Sequence, residues 1–322
     1  ICGFEKFDKF FVRIDILERL FIEIINRSKD YKFKLDSKIL NLLGCTKDDF
    51  IQFIKILGYQ LINSDNEAEF KYLPKKKEIS TYNDYVIEDN ENFIVINKPT
   101  GIPVQSGTKS FKNIIDILKN SKYFENSKPF IVHRLDKDTS GLLVVAKNDI
   151  AHINLSKQFN DHTINRKYEA LVWGTLRPQK GTIKSYITRS NRNRQLMEAS
   201  YTKGKSAVTN YKTLEIFQNN KIPTLSLIEC KLDTGRTHQI RVHLSFIGFP
   251  IIGDHIYSKS MNKSKFMPNI MTDFSRQALH SSSISFQHPI NKRFMVFKKD
   301  FPTDMKNLEN ELIKFNTEID DL

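Results

Sequence analysis

At 322 residues, with 39% hydrophobic and 27% charged side chains, the chain is long enough for about two domains of roughly 100–200 residues and too apolar to be disordered. No apolar run approaches the roughly 18 residues of a membrane helix, and three scattered cysteines (Cys2, Cys45, Cys230) with no Cys-x-x-Cys pair exclude a disulfide framework and point to a reducing, cytoplasmic setting. The net charge of +13 is uneven: residues 1–79 hold 15 basic and 13 acidic side chains and residues 80–322 hold 35 and 24, so the larger part suits a polyanion, although drift toward Lys and Asn codons gives the same excess.

The chain starts at Ile1 rather than Met, as a piece of a longer reading frame would, and Glu5, Asp8 and Lys9 break any secretory leader. Residues 10–27 carry Phe10, Ile14, Leu17, Phe21 and Ile24 at helical spacing. A second helix is predicted from Asp36 to Leu43, ending at Gly44. A third runs over Phe50–Leu57, with Thr46 and Asp49 in a capping-box pattern and Gly58 as its stop. Tyr59–Ile62 and Phe70–Leu73 fit a short hairpin. Residues 1–79 therefore read as a small helical module, closed by the polar stretch Pro74–Glu78, and residues 80–322 as a second, larger domain.

Beyond Tyr82 strands dominate: Tyr85–Ile87, Phe93–Ile96, Leu142–Ala146, Tyr168–Val172, Thr182–Ile187, Ala207–Tyr211 and Thr224–Lys231. Helices are predicted over Phe111–Leu118, Ile150–Phe159 and Met305–Phe315. Strands in runs with few helices between them give an α+β fold. Residues 184–212 hold seven basic side chains (Lys184, Arg189, Arg192, Arg194, Lys203, Lys205, Lys212) and one acidic, Glu198, and read as a basic hairpin lying against nucleic acid or as a solvated loop.

Two segments are dense in polar chemistry. Ile131–Gly141 (I-V-H-R-L-D-K-D-T-S-G) precedes an apolar strand, where a loop of mixed charge is either a site or a self-bonded turn. Leu232–Leu244 places Arg236, His238, Arg241 and His243 within eight residues. Ile240, Leu244 and Ile247 favour a helix with Thr237 as N-cap and Gly248 as stop, although Ile240, Val242 and Leu244 also alternate as in a strand. His238 and His243 lack ligand spacing and Cys partners, so no metal is expected.

His133–Gly141 resembles the HRLDxxTSG motif of the RluA-type RNA pseudouridine synthases. Arg166–Gly174 is similar to their second motif, and Gly235–Leu244 followed by Pro250–Asp254 to their third. Arg276–His280 and His288-Pro289 are similar to the closing segment. The resemblance runs from about Asn83 to about Pro302. It implies a catalytic domain with a mixed, largely antiparallel central sheet flanked by helices and loops. It also implies conversion of uridine in RNA to pseudouridine without cofactor or metal. Asp136 matches the catalytic aspartate, attacking the ribose at its anomeric carbon or taking the proton beside it. Tyr168 matches the tyrosine that packs on uracil and helps remove the proton from carbon-5, and Arg241 the arginine that pairs with the carboxylate. Arg134 matches the arginine that fills the gap left by the extruded base, an extrusion that costs a few kcal/mol.

The RNA-binding expectation covers Arg134, His133, Arg189, Arg192, Arg194, Lys205, Arg236 and His238. Within it, His133, like Asp138, is expected to serve mainly by hydrogen bonding. Segments at Val104–Thr108, Arg189–Arg194 and Gly204–Thr209 are similar to members acting on large-subunit ribosomal RNA, with transfer RNA the alternative. A monomer is expected. The front of the chain departs from the pattern, because no S4 domain is recognisable in residues 1–80. Phe11–Leu20 and Leu43–Thr46 bear a weaker resemblance to the C-terminal tail of some bacterial RNA helicases. A fusion, a substitute RNA-docking module and a joined reading frame remain open for this part. Two competing classes are a non-catalytic RNA-binding or ribosome-assembly protein on the same fold, and a hydrolase using Asp136 with Asp138.

Overall fold

The computed structural model describes residues 4–7, 10–28, 32–63, 68–72, 85–105, 113–190, 193, 196–219, 222–258 and 269–317. The chain divides into two units, Ile1–Thr81 and Tyr82–Leu322. Arg192 and Arg194, the Pro74–Glu78 stretch and most of Val104–Thr108 lie outside the described residues.

The first unit contains β1 (Phe4–Phe7), β2 (Phe10–Arg13), α1 (Ile14–Arg27), β3 (Lys32–Lys34), α2 (Ser37–Leu43), α3 (Lys47–Ile56), β4 (Tyr59–Asn63) and β5 (Glu69–Tyr72). The first helix begins four residues later than its periodicity suggests. Phe10–Arg13 pairs antiparallel with Phe4–Phe7 instead, because an aromatic and β-branched run with alternating burial fits a strand edge better than a helical turn. The caps of α2 and α3 are local: Asp36 and Thr46 accept from the backbone N–H of Ile39 and Asp49. Gly44, at φ 62°, ends α2. Leu20, Ile24, Ile39, Phe50, Ile54 and Phe70 close a core of their own, with Phe33 stacked on Phe70 at 5.3 Å.

The second unit is built on one mixed sheet. Its strands are β6 (Val86–Asp89), β7 (Phe93–Lys98), β8 (Phe130–Ile131), β9 (Ser140–Ala146), β10 (Asn165–Trp173), β11 (Lys180–Arg189), β12 (Met197–Ser200), β13 (Lys205–Asn219), β14 (Ile222–Leu232), β15 (Leu279–Gln287) and β16 (Phe294–Lys298). The order is β12-β11-β13-β14-β10-β15-β9-β7-β6, with β16 beside β15 and β8 beside β9. All pairings are antiparallel except β15 with β9. The helices are α4 (Ile114–Lys119), α5 (Asp149–Asn160), α6 (Gln239–Phe246), α7 (Asn269–Thr272) and α8 (Thr303–Thr317). The expected start of α4 at Phe111 falls outside the described residues, and Asn113 caps the observed helix by accepting from Asp116 N–H at 3.0 Å.

The central strands are apolar on both faces because both are covered. Phe93, Val95, Leu142 and Val144 pack under Ala151 and Leu155 of α5. Ile94, Ile96, Leu143 and Val145 face the larger core with Leu171, Ile228 and Leu308. Where β9 meets β15, a side chain on Gly141 would lie 2.7 Å from the Ser281 backbone nitrogen, at a φ of 109° that only glycine adopts freely. The parallel pairing of Ser140 and Gly141 with His280 and Ser281 thus requires the glycine that ends the loop 133–141.

Lys98, at the end of β7, is fully buried. Its ammonium donates to the carbonyls of Pro99 (2.6 Å), Ile102 (3.0 Å) and Lys137 (2.9 Å), tying one strand end to the loop that bears Asp136. Burial lowers its pKa to about 7 against the raising charges of Asp138 and Asp136. Lys98→Met fills the space but strands those carbonyls, each worth about 1–3 kcal/mol when left unpaired. The expected result is a loss of at least about 3 kcal/mol in denaturant unfolding, together with reduced turnover. Wild-type stability in that variant would show the carbonyls to be satisfied by water.

Candidate active site

The loop between β8 and β9, the middle of β10 and the start of α6 line one cleft of about 480 Å³. Asp136 sits in the loop, held by a turn in which Thr139 N–H donates to the Asp136 carbonyl at 3.2 Å. Tyr168 lies on β10, and Arg241 on α6. These three side chains, together with Arg134, His133, Arg236 and His238, all border the cleft.

Helix α6 aims Arg241 by using its two faces differently. Gln239 and His243, one turn apart, face the sheet. The Gln239 amide donates to the Val208 carbonyl and the Thr209 hydroxyl, both at 3.0 Å. Its oxygen accepts from the Thr234 hydroxyl (2.8 Å) and Arg236 N–H (2.9 Å). His243 is hydrogen-bonded to Thr209 and Ser185. Arg241, two residues from each, projects the opposite way. The helix starts at His238 in the left-handed conformation (φ 55°), not at Thr237, with no side-chain cap, and Gln239 Oε1 reaches back to accept from Arg236 N–H ahead of it.

Arg241 is a fork between two carboxylates. Its Nε and Nη2 donate to Asp254 at 2.7 and 3.0 Å, and its Nη1 donates to Asp136 at 3.0 Å. Side-chain exposure falls from 18% at Asp136 to 5% at Arg241 and 0% at Asp254. Burial opposes the arginine's charge, but the carboxylates more than offset it and raise its pKa. Asp254 is itself fixed by the backbone N–H groups of Ile256 (3.0 Å) and Tyr257 (3.1 Å). The Tyr257 ring lies under the guanidinium at 5.1 Å. Its hydroxyl accepts from Met197 N–H and is 2.9 Å from His238 Nδ1, while His238 Nε2 is 4.0 Å from Asp136. Burial lowers the His238 pKa and Asp136 opposes that shift.

Tyr168 is buried, with its phenol in the field of the site. Burial and the Asp136 charge raise its pKa, while Arg166 and a hydrogen bond with Ser281 lower it. The net shift is upward, so near neutral pH the phenol keeps its proton. Arg134 is exposed at the rim. His133 turns inward: its Nε2 accepts from Val144 N–H at 3.0 Å, and its ring stacks on Phe159 at 4.6 Å. Asp138 contributes a backbone carbonyl to Arg276 at 3.3 Å. Arg189 and Lys205, both exposed, sit at strand ends of the β11–β13 hairpins and do not line the cleft.

Four contributors had no role in the sequence reading. Arg166 lines the cleft, with its guanidinium over Phe159 at 5.4 Å. Asp254 and Lys98 fix the loop and helix from behind, and Tyr257 joins His238 to β12. Arg166 and Asp254 fall inside stretches already singled out, but nothing in the spacing around Tyr257 marks it. Among the described residues no group of three or more His, Cys, Asp or Glu side chains converges as metal ligands would. No described helix is long and apolar enough to cross a membrane.

Three buried histidines make stability depend on acid. Burial lowers His133 to about 3, His243 to about 4 and His280 to about 4, with the Arg166 charge adding to the effect at His133. The unfolded chain takes up these protons near pH 6.5. Their contribution is therefore complete above about 6.5 and is lost as pH falls toward 4, with a limiting slope of about 4 kcal/mol per pH unit for three protons. Urea midpoints measured between pH 7 and 4.5 are expected to drop steeply below 6. A flat profile would mean that the rings accept protons while folded.

A carboxylate aimed by a buried guanidinium, beside a buried phenol, can attack or deprotonate a group entering the cleft. Similarity to known sequences places the chain in a family. A family model for RNA pseudouridylate synthase matches residues 92–246. A ribosomal large subunit pseudouridine synthase D of Zymomonas mobilis is 41% identical over 239 residues, covering 72% of this chain and 73% of that protein. An uncharacterized RNA pseudouridine synthase of Bacillus subtilis is 40% identical over 232 residues, covering 70% and 72%. The solved structure of Human RNA Pseudouridylate Synthase Domain Containing 4 superposes with a TM-score of 0.58 at 24% identity, over 72% of this chain and 94% of that one, a likeness of fold. The chain belongs to the RluA-type RNA pseudouridine synthase family, isomerases that convert uridine within RNA to pseudouridine.

Proposed function

We propose that the target uridine lies in large-subunit ribosomal RNA and that Asp136, Tyr168 and Arg241 carry the reaction. The substrate reading is supported by the names of relatives such as the Zymomonas mobilis synthase. The observation that carries the residue assignment is the 3.0 Å hydrogen bond from Arg241 to Asp136, made by an arginine already held on its other edge by buried Asp254.

The uridine is flipped out of its strand and its base enters the cleft. Asp136 attacks the anomeric carbon, or takes the proton beside it, and the bond from C1′ to N1 breaks. The uracil turns within the cleft and C5 bonds to C1′ as the bond from Asp136 to C1′ breaks or, on the other route, as Asp136 returns the proton to C2′, and N1 takes up a proton. The proton on C5 then leaves, and the electrons of that bond restore the ring, so the product is an isomer of the substrate. Tyr168 packs against the uracil where this proton departs. Arg241 orients the carboxylate and balances its charge. Arg134, at the rim, fills the gap left in the stack. Arg236, His238 and the basic residues Arg189, Arg192, Arg194 and Lys205 hold the strand, and His133 supports the loop. In this reading the enzyme works as a cytoplasmic monomer, and residues 1–79 form a module separate from the catalysis.

The test is tritium release. Unmodified large-subunit ribosomal RNA labelled at uridine C5 is incubated with the protein, and tritium in water is counted. Release is expected. Release from transfer RNA alone would move the substrate, and RNA binding without release from either would favour a non-catalytic binding protein.

A further inference from the structure

Two large aromatic rings lie outside the cleft in contact with each other and with water. Tyr201 is 76% exposed and Phe246 is 37% exposed, with ring centroids 5.1 Å apart and planes inclined at 58°. Tyr201 gains little burial from this placement, so packing of the fold does not account for its ring.

The strand register shows which way the pair faces. Ile187 of β11 is directly opposite both Ala199 of β12 and Lys205 of β13. Opposed residues share a face, and so do residues two apart along a strand. Ile187 and Ala207 pack against Val242 of α6, so Arg189 and Lys205 lie on the α6 side of the hairpins, where Tyr201, just past the end of β12, touches Phe246. Phe246 ends α6, five residues past Arg241 and about 7.5 Å further along the helix axis.

This face continues into the cleft through two links. Arg236, a cleft residue, donates from Nε to the Ser206 carbonyl at 2.9 Å, next to Lys205. Met197 N–H at the start of β12 donates to the Tyr257 hydroxyl, which is also bonded to His238 in the cleft. Exposed Arg189 and Lys205, with half-buried Arg236 at the cleft, therefore share this face of the hairpins with the exposed aromatic pair. Aromatic faces beside a cationic track are the arrangement that holds single-stranded nucleic acid, rings taking bases and cations taking phosphates.

We infer that Tyr201 and Phe246 form a stacking platform for an unpaired base of the RNA, a few nucleotides from the flipped uridine. This rests on the reading above only in that RNA enters the cleft along this face. Stacking is tolerant of base identity, so the platform anchors the strand and leaves target choice to other contacts.

The test uses the full chain and a fluorescent single-stranded 12-nucleotide oligouridylate, with affinity measured across a range of salt. Tyr201→Ala is expected to weaken binding about 10-fold at every salt concentration, because a stacked base releases no counterion. Tyr201→Trp is expected to bind within about 2-fold of wild type, since a larger ring stacks at least as well. Lys205→Gln is expected to flatten the salt dependence, which Tyr201→Ala leaves unchanged. Oligonucleotides carrying 5-iodouridine are expected to cross-link to Tyr201 on irradiation. Thermal melts identify any misfolded variant, and Phe246→Ala provides a second reading of the same platform. Unchanged affinity in both alanine variants would overturn the proposal. So would a change in self-association in place of RNA affinity, which would make the pair a protein contact. Failure of the ribosomal substrate reading is separable. In that case wild type releases no tritium from large-subunit RNA, while Tyr201→Ala still weakens oligouridylate binding.

Discussion

Asp136→Asn is expected to reduce tritium release by at least about 10⁴-fold while leaving RNA affinity within about 2-fold of wild type. The amide has the size and shape of the carboxylate and can still accept from Arg241 Nη1 through its oxygen. It can neither form the bond to the anomeric carbon nor accept the proton beside it. The side chain is 18% exposed and touches a guanidinium that Asp254 holds independently, so the variant is expected to melt close to wild type. In the proposed mode of binding, RNA contact through the cationic hairpins and the cleft rim does not depend on this carboxylate, and removing one negative charge near a phosphate backbone favours binding. Turnover near wild type would move the nucleophile elsewhere. Asp138 is the neighbouring candidate, but its carbonyl is bonded to Arg276 and its charge acts on buried Lys98.

Legibility in the sequence followed the range of the interaction. The strand Ser140–Ala146 and the helices α5 and α8 announce themselves through apolar runs or periodicity that they satisfy within a few residues. The caps at Asp36 and Thr46 are equally local. The strand Leu279–Gln287 does not announce itself: four of its nine residues are serine, which has little preference for strands. It nevertheless lies between β10 and β9, and the small side chain at Ser281 suits the close approach to Gly141. Phe10–Arg13 misleads in the other direction. Its apolar spacing extends the helical pattern, but only pairing with Phe4–Phe7 decides its conformation.

The same division holds at the site. Asp136 and Arg241 are 105 residues apart, so no local pattern could pair them, and it was the resemblance of their motifs that brought them together. Over residues 240–244 helical and strand spacings coexist and Gly248 favours the helix, which Gln239 and His243 anchor to β11 and β13. Asp254 lies in a stretch singled out by resemblance, but its purpose appears only in three dimensions.

Removing Asp254 is expected to be nearly as damaging as removing a group that meets the substrate. Asp254→Ala leaves the Arg241 charge buried with one edge unpaired and also frees the backbone N–H groups of Ile256 and Tyr257. Breaking a buried ion pair from one side costs about 3–5 kcal/mol, and a loss of that size is expected in denaturant unfolding. Turnover is expected to fall further than stability alone explains, because the guanidinium is then free to swing toward Asp136 with both edges and draw the carboxylate away from the ribose. Asp254→Asn separates the two effects: it keeps the volume and one acceptor, so stability is expected to recover more than turnover. The double variant Arg241→Met with Asp254→Leu carries the sharper test. It buries no unpaired charge, so its stability is expected to exceed that of Asp254→Ala, while its turnover stays at the level of Arg241→Met. If the double variant were destabilised by the sum of the single losses, the pair would not be coupled. The 18% to 5% to 0% gradient of exposure from Asp136 to Asp254 would then describe three independent side chains, not one device that holds a reactive carboxylate from the protein interior outward.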